Sequence, residues 1–359
     1  MVWWTALLPL VAGGAIWAGQ PLRLLPAAGR PGGRGRRWVL GTMGTAALLA
    51  TLGLALWAAR NRPTATVSWG GGLALHAGID PVAGTVAVLA PAVAVPIVVY
   101  AAAHEDRRGL ARLVGLLVAF VGAMELVVIA ADLLTLLLGW ELVGWASWAL
   151  IGHAWWEADK PAAAAQAFNT TRFGDLGLFL AAGAAFAATG SLRYADLGDV
   201  TGSLQHVMVF GIVLAAVAKS AQVPFAPWLL SAMAGPTSVS ALLHAATMVA
   251  AGAYLLARLH PTLRLVGWFG PSLLAVGLGT AILGGVVASV QPHAKKLLAA
   301  STSAHHGLML VAIGAGSASI GVAHLVAHAA FKAALFLVAG IAAAAVGSEQ
   351  LGRMRLGRS

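Results

Sequence analysis

Long apolar segments separated by short polar loops run through the whole chain. Each has roughly the 20 residues that an α-helix needs to cross the hydrocarbon core of a bilayer. The segments lie at residues 3–19, 38–58, 79–103, 112–131, 133–152, 173–189, 207–222, 236–257, 269–291, 297–315 and 320–346. This pattern predicts an all-α polytopic membrane protein with about 11 transmembrane helices.

Two prolines interrupt the chain directly after the seventh apolar segment. Pro224 and Pro227 stand in AKSAQVPFAPWL, where the apolar pattern would otherwise continue. Because proline lacks a backbone N–H and clashes with the preceding turn, it does not fit a helix interior. We therefore predict a broken seventh helix whose second half is short.

The composition supports a membrane protein and narrows its chemistry. The chain is 60% hydrophobic and 9% charged, whereas soluble domains carry about 25% charged residues. It contains no cysteine, which excludes disulfides, thiolate metal sites and Cys-ligated iron–sulfur clusters. The N-terminal MVWWTALLPL lacks the basic region of a cleavable signal, so we expect it to form the first span. Residues 1–359 are expected to be one membrane domain.

The basic residues indicate a membrane orientation. The net charge is +10, but the basic side chains lie in short loops between apolar segments, which favours a role in topology over nucleic-acid binding. Most of them occupy alternate loops, from residues 20–37 to the tail at 347–359. Those in the first and last of these loops include Arg23, Arg30, Arg34, Arg353, Arg355 and Arg358. The positive-inside rule then predicts an outside N-terminus and a cytoplasmic C-terminus in the cell membrane.

Three ionisable residues stand four positions apart in the last apolar segment, AHLVAHAAFKAALFLVAG. On a helix, His324, His328 and Lys332 would share one face, each about 6 Å from the next. Ionisable groups at membrane depth are costly unless they face a cavity or a partner, so this row indicates a proton path. His305 and His306 would either extend the row or only hydrogen-bond to a neighbouring helix. We assign no metal site, because Lys332 would repel a divalent ion beside the two histidines.

Opposite charges in two other segments suggest an ion pair. Glu141 stands in LLLGWELVGW, and Lys219 stands just before the proline break. Pairing them would lower the cost of burying both. A nearby carboxylate stabilises the charged lysine, and its withdrawal favours release of the proton. We predict such a Glu141–Lys219 pair, with packing specificity as the alternative role. His244, in the eighth segment, is either a relay or a satisfied polar contact.

Five further ionisable residues have less defined roles. Arg172 and Asp175 stand in NTTRFGDLGLF, near the start of the sixth segment. Lys295 and Lys296 stand at the cytoplasmic edge of the tenth, where they would serve as interface anchors or in proton uptake. Glu125 lies well inside the fourth segment and has no evident role.

Six strings of residues, in order, resemble one known family. They are GWELVGWASWALIGHAWW, NTTRFGDLG, AKSAQVPFAPWL, AMAGPTSVSALLHAATMVAAGAYLLAR, KKLLAASTSAHHGLM and HLVAHAAFKAALFLVAG. With them the chain resembles the antiporter-like subunits of respiratory complex I, above all the L-type subunit, from about residue 75 to its end. The same family includes Mrp-type sodium/proton antiporter subunits and membrane partners of bicarbonate-uptake complexes.

The resemblance implies a role for each matching position. The residues that match the family's proton path are Glu141, Lys219, His244, His324, His328 and Lys332. Lys219 would be the first proton-carrying lysine and Lys332 the middle one. Asp175 would contact the neighbouring antiporter-like subunit or its lysine. Arg172, Lys295 and Lys296 would be accessory residues.

The resemblance also implies two inverted five-helix repeats, each with a broken helix. Residues 1–111 would form three N-terminal helices and 112–257 the first repeat. Residues 264–346 would form part of the second repeat, followed by a cytoplasmic tail at 347–359. Family members continue for several more helices, so we expect an incomplete second repeat and a missing exit-side lysine.

Two positions depart from the family pattern. Leu230-Ser231 stands where Pro-Asp is usual, and His293 stands where an acid is usual. Together with the short second repeat, these departures leave open whether one chain holds a complete proton route.

The leading functional hypothesis is a non-redox, proton-translocating subunit of an NADH:quinone oxidoreductase-type assembly. We expect no cofactor in this chain, with quinone, flavin and iron–sulfur clusters confined to partner subunits. The expected partners are other membrane subunits, among them another antiporter-like subunit or a separate chain that supplies the missing helices. The alternatives are a membrane subunit of a Mrp-type Na⁺/H⁺ antiporter or proton-coupled bicarbonate system, and a truncated structural half-subunit without transport.

Overall fold

A computed structural model describes residues 1–19 and 33–354. Arg23, Arg30, Arg355 and Arg358, which enter the orientation prediction, lie outside these ranges, as does the side chain of Arg34. The helices in the described part are α1 (Trp4–Ala18), α2 (Gly33–Asn61), α3 (Pro81–His104), α4 (Leu110–Ile129), α5 (Leu133–Ile151), α6 (Asp159–Thr189), α7 (Gly202–Lys219), α8 (Pro227–Ser231), α9 (Thr237–Ala245), α10 (Met248–Arg258), α11 (His260–Leu263), α12 (Phe269–Val290), α13 (Ala294–Gly314) and α14 (Ala318–Val346).

Nine helical segments in the described ranges are long and apolar enough to cross a membrane. They are α2 to α5, α7, α9 together with α10, α12, α13 and α14. Of the other predicted spans, α1 has 15 residues, and α6 includes Asp159, Lys160, Arg172 and Asp175 among its 31 residues. The count of 11 spans therefore stays a prediction.

Small residues allow the helices to pack at short distances. Gly277 of α12 faces Gly307 of α13, and a Cβ added to either would lie 2.5 Å from the other's carbonyl oxygen. Only glycine fits at such a crossing. Close backbone approach of this kind is how helices pack in lipid, where the hydrophobic effect does not drive their association.

A β-hairpin, which the apolar pattern did not predict, connects α2 to α3. Strand β1 (Thr64–Gly70) pairs antiparallel with β2 (Leu73–Gly78), with Thr64 opposite Gly78. The glycines at the turn adopt positive φ angles, which side chains disfavour. The hairpin is anchored where the His76 N–H donates to the Asp132 carboxylate at the start of α5.

Two interruptions divide helices in the middle of the bundle. The first separates α7 from α8, with Pro224 between them. The second separates α9 from α10 at Ala246 and Thr247, where we predicted one continuous span. The Thr247 hydroxyl donates to the Leu242 carbonyl at 2.6 Å. This interruption has no proline, and it leaves the Ala245 carbonyl free for a contact from another helix.

The loop after α5 is clamped to the start of α4. Arg112 donates from Nη2 to the His153 carbonyl, and the same nitrogen lies 3.3 Å from His153 Nδ1. The Arg108 guanidinium lies 4.2 Å from the ring centroid of Trp156. Burial, together with the charge of Arg112, lowers the pKa of His153 from 6.5 to about 4. His153 is therefore neutral in the folded protein near pH 7.

We predict that the free energy of unfolding decreases as the pH falls from 6.5 towards 4. In this range the unfolded chain binds a proton on residue 153 that the folded chain excludes. The full shift of the His153 pKa would lower the free energy of unfolding by at most about 3 kcal/mol. Thermal unfolding in detergent at pH 7 and pH 5 should show a smaller pH dependence for His153→Gln than for the unmodified protein. His206→Gln, at an exposed histidine, is the control, and equal pH dependence in all three proteins would contradict the prediction.

Candidate functional site

Lys219 is the last residue of α7 and has no exposed surface. Its ammonium nitrogen lies 3.1 Å from each carboxylate oxygen of Asp175 on α6. Asp175 is 2% exposed and also accepts a hydrogen bond from Trp140 Nε1 at 2.6 Å. The Trp140 ring lies 5.1 Å from the lysine nitrogen, within range of a cation–π contact. The lysine is thus held by a buried, hydrogen-bonded carboxylate.

The predicted Glu141–Lys219 ion pair is wrong, because Glu141 pairs with Arg172 instead. Trp140 and Glu141 are neighbours on α5 and point about 100° apart. Trp140 therefore reaches the buried Asp175, whereas the Glu141 side chain is 30% exposed. Arg172 stands one helical turn before Asp175 on α6, so two ion pairs lie beside each other. Glu141 Oε1 is buried and has no partner among the described residues.

The chain between α7 and α8 is bonded to α13. Gln222 donates from Nε2 to the Ser220 carbonyl at 2.8 Å and to the Ser303 carbonyl at 3.3 Å. In return, the Ser303 hydroxyl donates to the Ala221 carbonyl. The Trp228 indole donates to the Ala218 carbonyl at 2.9 Å. The helix interruption thus places several polar groups at membrane depth, next to Lys219.

His244 on α9 is completely buried between aromatic rings. Its ring centroid lies 6.3 Å from that of Trp228 and 5.9 Å from that of Phe336. Neither ring nitrogen has a hydrogen-bond partner within the described ranges. Because an unpaired polar group in an apolar site costs free energy, a water beside His244 would be stabilising.

The row on α14 meets a second pair of histidines on α13. His324 Nε2 lies 3.0 Å from His305 Nδ1. His328 Nδ1 lies 3.3 Å from the Ala245 carbonyl that the α9–α10 interruption leaves free. The His328 ring centroid lies 4.9 Å from that of His306 and 5.5 Å from that of His305. We call His305, His306, His324 and His328 the histidine cluster.

Lys332 lies one helical turn from His328 and is 1% exposed. Its ammonium group donates to Ser301 Oγ at 2.9 Å and lies 3.4 Å from the Leu298 carbonyl oxygen, both on α13. In the described ranges it forms no ion pair. The hydrogen-bond partners of the two lysines thus differ. A carboxylate contacts Lys219, whereas the oxygens that contact Lys332 among the described residues are neutral.

The two lysines at the start of α13 have different surroundings. Lys295 is buried and forms an ion pair with Glu349 at 2.8 Å, whereas Lys296 is exposed. Glu125 is completely buried on α4, and neither carboxylate oxygen has a partner among the described residues.

Sequence reasoning overlooked several residues of the site. Trp140 and Ser301 contact the two central lysines, and Gln222 and Ser303 join the α7–α8 interruption to α13. None belongs to a charged pattern, so no sequence signal indicated them. His305 and His306 did give a signal, as an adjacent pair within an apolar segment. No group of three or more His, Asp or Glu in the described residues is arranged to hold a metal ion.

We predict strong energetic coupling between Lys219 and Asp175 and weak coupling between Lys219 and Glu141. Contacting residues in one network couple by about 0.5–3 kcal/mol, and the buried pair should lie at the upper end. Double-mutant cycles with Lys219→Met, Asp175→Asn and Glu141→Gln, measured by thermal unfolding in detergent, give both values. Greater coupling of Lys219 to Glu141 than to Asp175 would contradict the prediction.

Comparison with known proteins identifies the family of this fold. The family described as NADH:quinone oxidoreductase/Mrp antiporter, TM, matches residues 130–356. The NAD(P)H-quinone oxidoreductase chain 5 of Synechocystis is 38% identical over 276 residues, covering 73% of this chain and 40% of that protein. The NADH-quinone oxidoreductase subunit L of Mycobacterium tuberculosis is 40% identical over 257 residues, covering 70% of this chain and 40% of that protein. The chain thus spans about two-fifths of the length of these relatives.

Solved structures show the same architecture. A chain of the Mrp complex from Dietzia sp. superimposes with a TM-score of 0.83 and 32% identity, covering 96% of this chain and 38% of that one. A chain of the archaeal membrane-bound sulfane sulfur reductase gives the same TM-score at 17% identity, covering 98% and 73%, which shows a shared fold alone. These likenesses confirm the predicted antiporter-like, all-α membrane fold. The chain is a multi-pass, antiporter-like membrane subunit that belongs to the NADH:quinone oxidoreductase/Mrp antiporter family.

Proposed function

We propose that the chain translocates protons as a subunit of a larger, NADH:quinone oxidoreductase-type membrane complex. The observation that carries this proposal is the pair of buried lysines, each with further polar groups beside it. Lys219 lies beside a helix interruption, and Lys332 lies beside the histidine cluster. Structural packing alone does not explain two such lysines, because each buried charge is costly.

Lys219 is the first proton carrier in this proposal. While Asp175 contacts it, the carboxylate stabilises the charged ammonium group. When the two separate, burial favours the neutral amine and the proton leaves. The neighbouring Glu141–Arg172 pair adjusts this balance, since Arg172 remains charged and can attract either carboxylate.

The proton then moves through His244 and the histidine cluster to Lys332. Waters bound to the free ring nitrogens of His244 and to the interruption between α7 and α8 would bridge the gaps. Histidine suits this role because each ring has one nitrogen that donates and one that accepts. Lys332 lacks a carboxylate among the described residues, so its charged form is less stabilised than that of Lys219.

The proposed orientation places the C-terminal tail and the loops rich in basic residues in the cytoplasm, with proton uptake near Lys219 on that side. The relatives from Synechocystis and Mycobacterium tuberculosis are named as subunits of quinone oxidoreductases. We propose that quinone, flavin and iron–sulfur clusters belong to partner subunits, and that other membrane subunits flank this chain.

A Mrp-type Na⁺/H⁺ antiporter subunit is the second candidate. It is favoured by the likeness to the Mrp complex, which covers 96% of this chain at 32% identity. Purifying the intact complex and identifying its subunits decides between the two, since only one assembly would contain redox subunits. Sodium-dependent proton movement in vesicles would support the antiporter, and its absence would count against it.

We predict that Lys219→Arg and Lys332→Met each abolish proton translocation in vesicles. Arginine keeps the ion pair with Asp175 but does not release a proton, so the first variant separates transport from stability. Both complexes should assemble in normal amounts. Arg193→Gln, at an exposed site, is the control. Unchanged translocation in both lysine variants would overturn the proposal and favour a structural subunit without transport.

His328→Gln should slow proton translocation more than His324→Gln. His328 is completely buried and contacts His305, His306 and the Ala245 carbonyl. His324 is half-buried, and among the described residues its ring nitrogens contact only His305. Loss of a positioned proton-transfer group typically costs about 10²-fold or more, and we expect an effect of this order only for His328. Initial rates of pH change in vesicles test this order, and equal effects would contradict the assignment.

A further inference from the structure

A polar cavity opens beside Lys295, on the face that carries the loops between α3 and α4 and between α5 and α6. Its volume is about 290 Å³, far more than one water molecule requires. Its polar lining residues include Glu105, Asp106, Arg108, His153, Lys295 and Glu349. Charged groups of both signs at its rim make it a site for water rather than for an apolar ligand.

Among the charged residues that line this cavity, Lys295 is the one that is buried. Its ammonium group lies 2.8 Å from Glu349 Oε1 and donates to the Gly235 carbonyl at 3.2 Å. Lys295 is 7% exposed, whereas the Glu349 side chain is 43% exposed. The ion pair is therefore at the boundary between the cavity and the interior of the bundle.

Lys332 of α14 contacts α13 within two helical turns after Lys295. Its ammonium group contacts the carbonyl of Leu298 and the hydroxyl of Ser301. These residues stand three and six positions after Lys295, which corresponds to about 4.5 Å and 9 Å along the helix axis. A short file of water would connect the cavity with Lys332 without passing Lys219.

Residues 347–351, which we call the strap, hold Glu349 in place. They follow α14 directly and run antiparallel to the chain before α13. The Ala294 N–H donates to the Glu349 carbonyl at 3.0 Å, and the Leu351 N–H donates to the Pro292 carbonyl at 2.9 Å. Because α14 carries Lys332 and continues into the strap, any shift of this helix acts on both.

We propose that the cavity is a second water entrance, which leads to Lys332, and that the Lys295–Glu349 ion pair is its latch. Opening needs the loss of the ion pair and of the hydrogen bond to the Gly235 carbonyl, followed by a swing of the flexible Lys295 side chain. Once open, a file of water from the cavity reaches Ser301, and a proton from the aqueous phase can pass along it to the neutral amine of Lys332. The role of Lys332 as a proton carrier rests on the proposed function, but the entrance itself does not.

The absence of cysteine from the chain allows a direct test of the entrance. Ser301→Cys places one thiol beside Lys332 in the intact, membrane-embedded complex. The probe is 2-sulfonatoethyl methanethiosulfonate, a membrane-impermeant anion whose charge is opposite to that of the two lysines. It is added from the face that carries the cavity. Mass spectrometry of the peptide that contains residue 301 measures the labelling rate. This readout requires no transport activity, so it can fail or succeed independently of the proposed function.

We expect Glu349→Gln to accelerate the labelling about fivefold, the change expected for the loss of one partly exposed ion pair. Lys295→Met should also change the rate, whereas the matched control Lys296→Met should not, because Lys296 is exposed. Rates that are equal in all variants would overturn the inference. They would show that the probe arrives along the groove between α12 and α13, which Ser301 also lines.

A second measurement covers the case in which Glu349→Gln does not assemble. His293→Cys with Gln350→Cys places two thiols across the bridge that pairs these residues. Oxidation should hold the strap closed and slow proton translocation, and reduction should restore it. Unchanged translocation after oxidation, with the disulfide verified by mass spectrometry, would show that the strap does not control an entrance.

Discussion

A lysine ammonium group deep in a membrane needs a compensating partner, and this requirement organises the centre of the protein. Lys219 is compensated by Asp175, which is itself fixed by the Trp140 indole. Lys332 contacts neutral oxygens of α13. Because a carboxylate stabilises an ammonium group more than neutral oxygens do, the electrostatic surroundings of the two lysines are unequal. In the function we propose, this inequality lets a proton pass in one direction when one partner moves.

The helix interruptions provide polar backbone groups that contact neighbouring helices. A continuous helix engages most of its own carbonyls and amides, so it offers few of them to a neighbour or to water. The interruption after Lys219 is joined to α13 through Ser303, and the interruption after Ala245 offers its carbonyl to His328. At both interruptions, a backbone carbonyl therefore contacts a side chain of another helix.

The helix α14 combines two features that are separate in sequence. Its middle carries part of the histidine cluster and Lys332, and its end continues into the strap that contacts Lys295. In our inference, movement of this one helix changes both the environment of a proton carrier and its access to water. Such coupling requires no long-range pathway, since a single rigid helix spans the distance.

The sequence by itself determined the membrane class, the helical segments and the types of residue in the path. Segment length and hydropathy are local properties, and a charged residue within an apolar segment is conspicuous wherever it lies. The α9–α10 interruption was not predictable, because Thr247 gives no signal comparable to proline. The pairing of Lys219 with Asp175 rather than Glu141 was also decided by the tertiary structure. The rotation of each helix about its axis determines which of two neighbouring side chains faces the core, and that rotation depends on packing against all other helices.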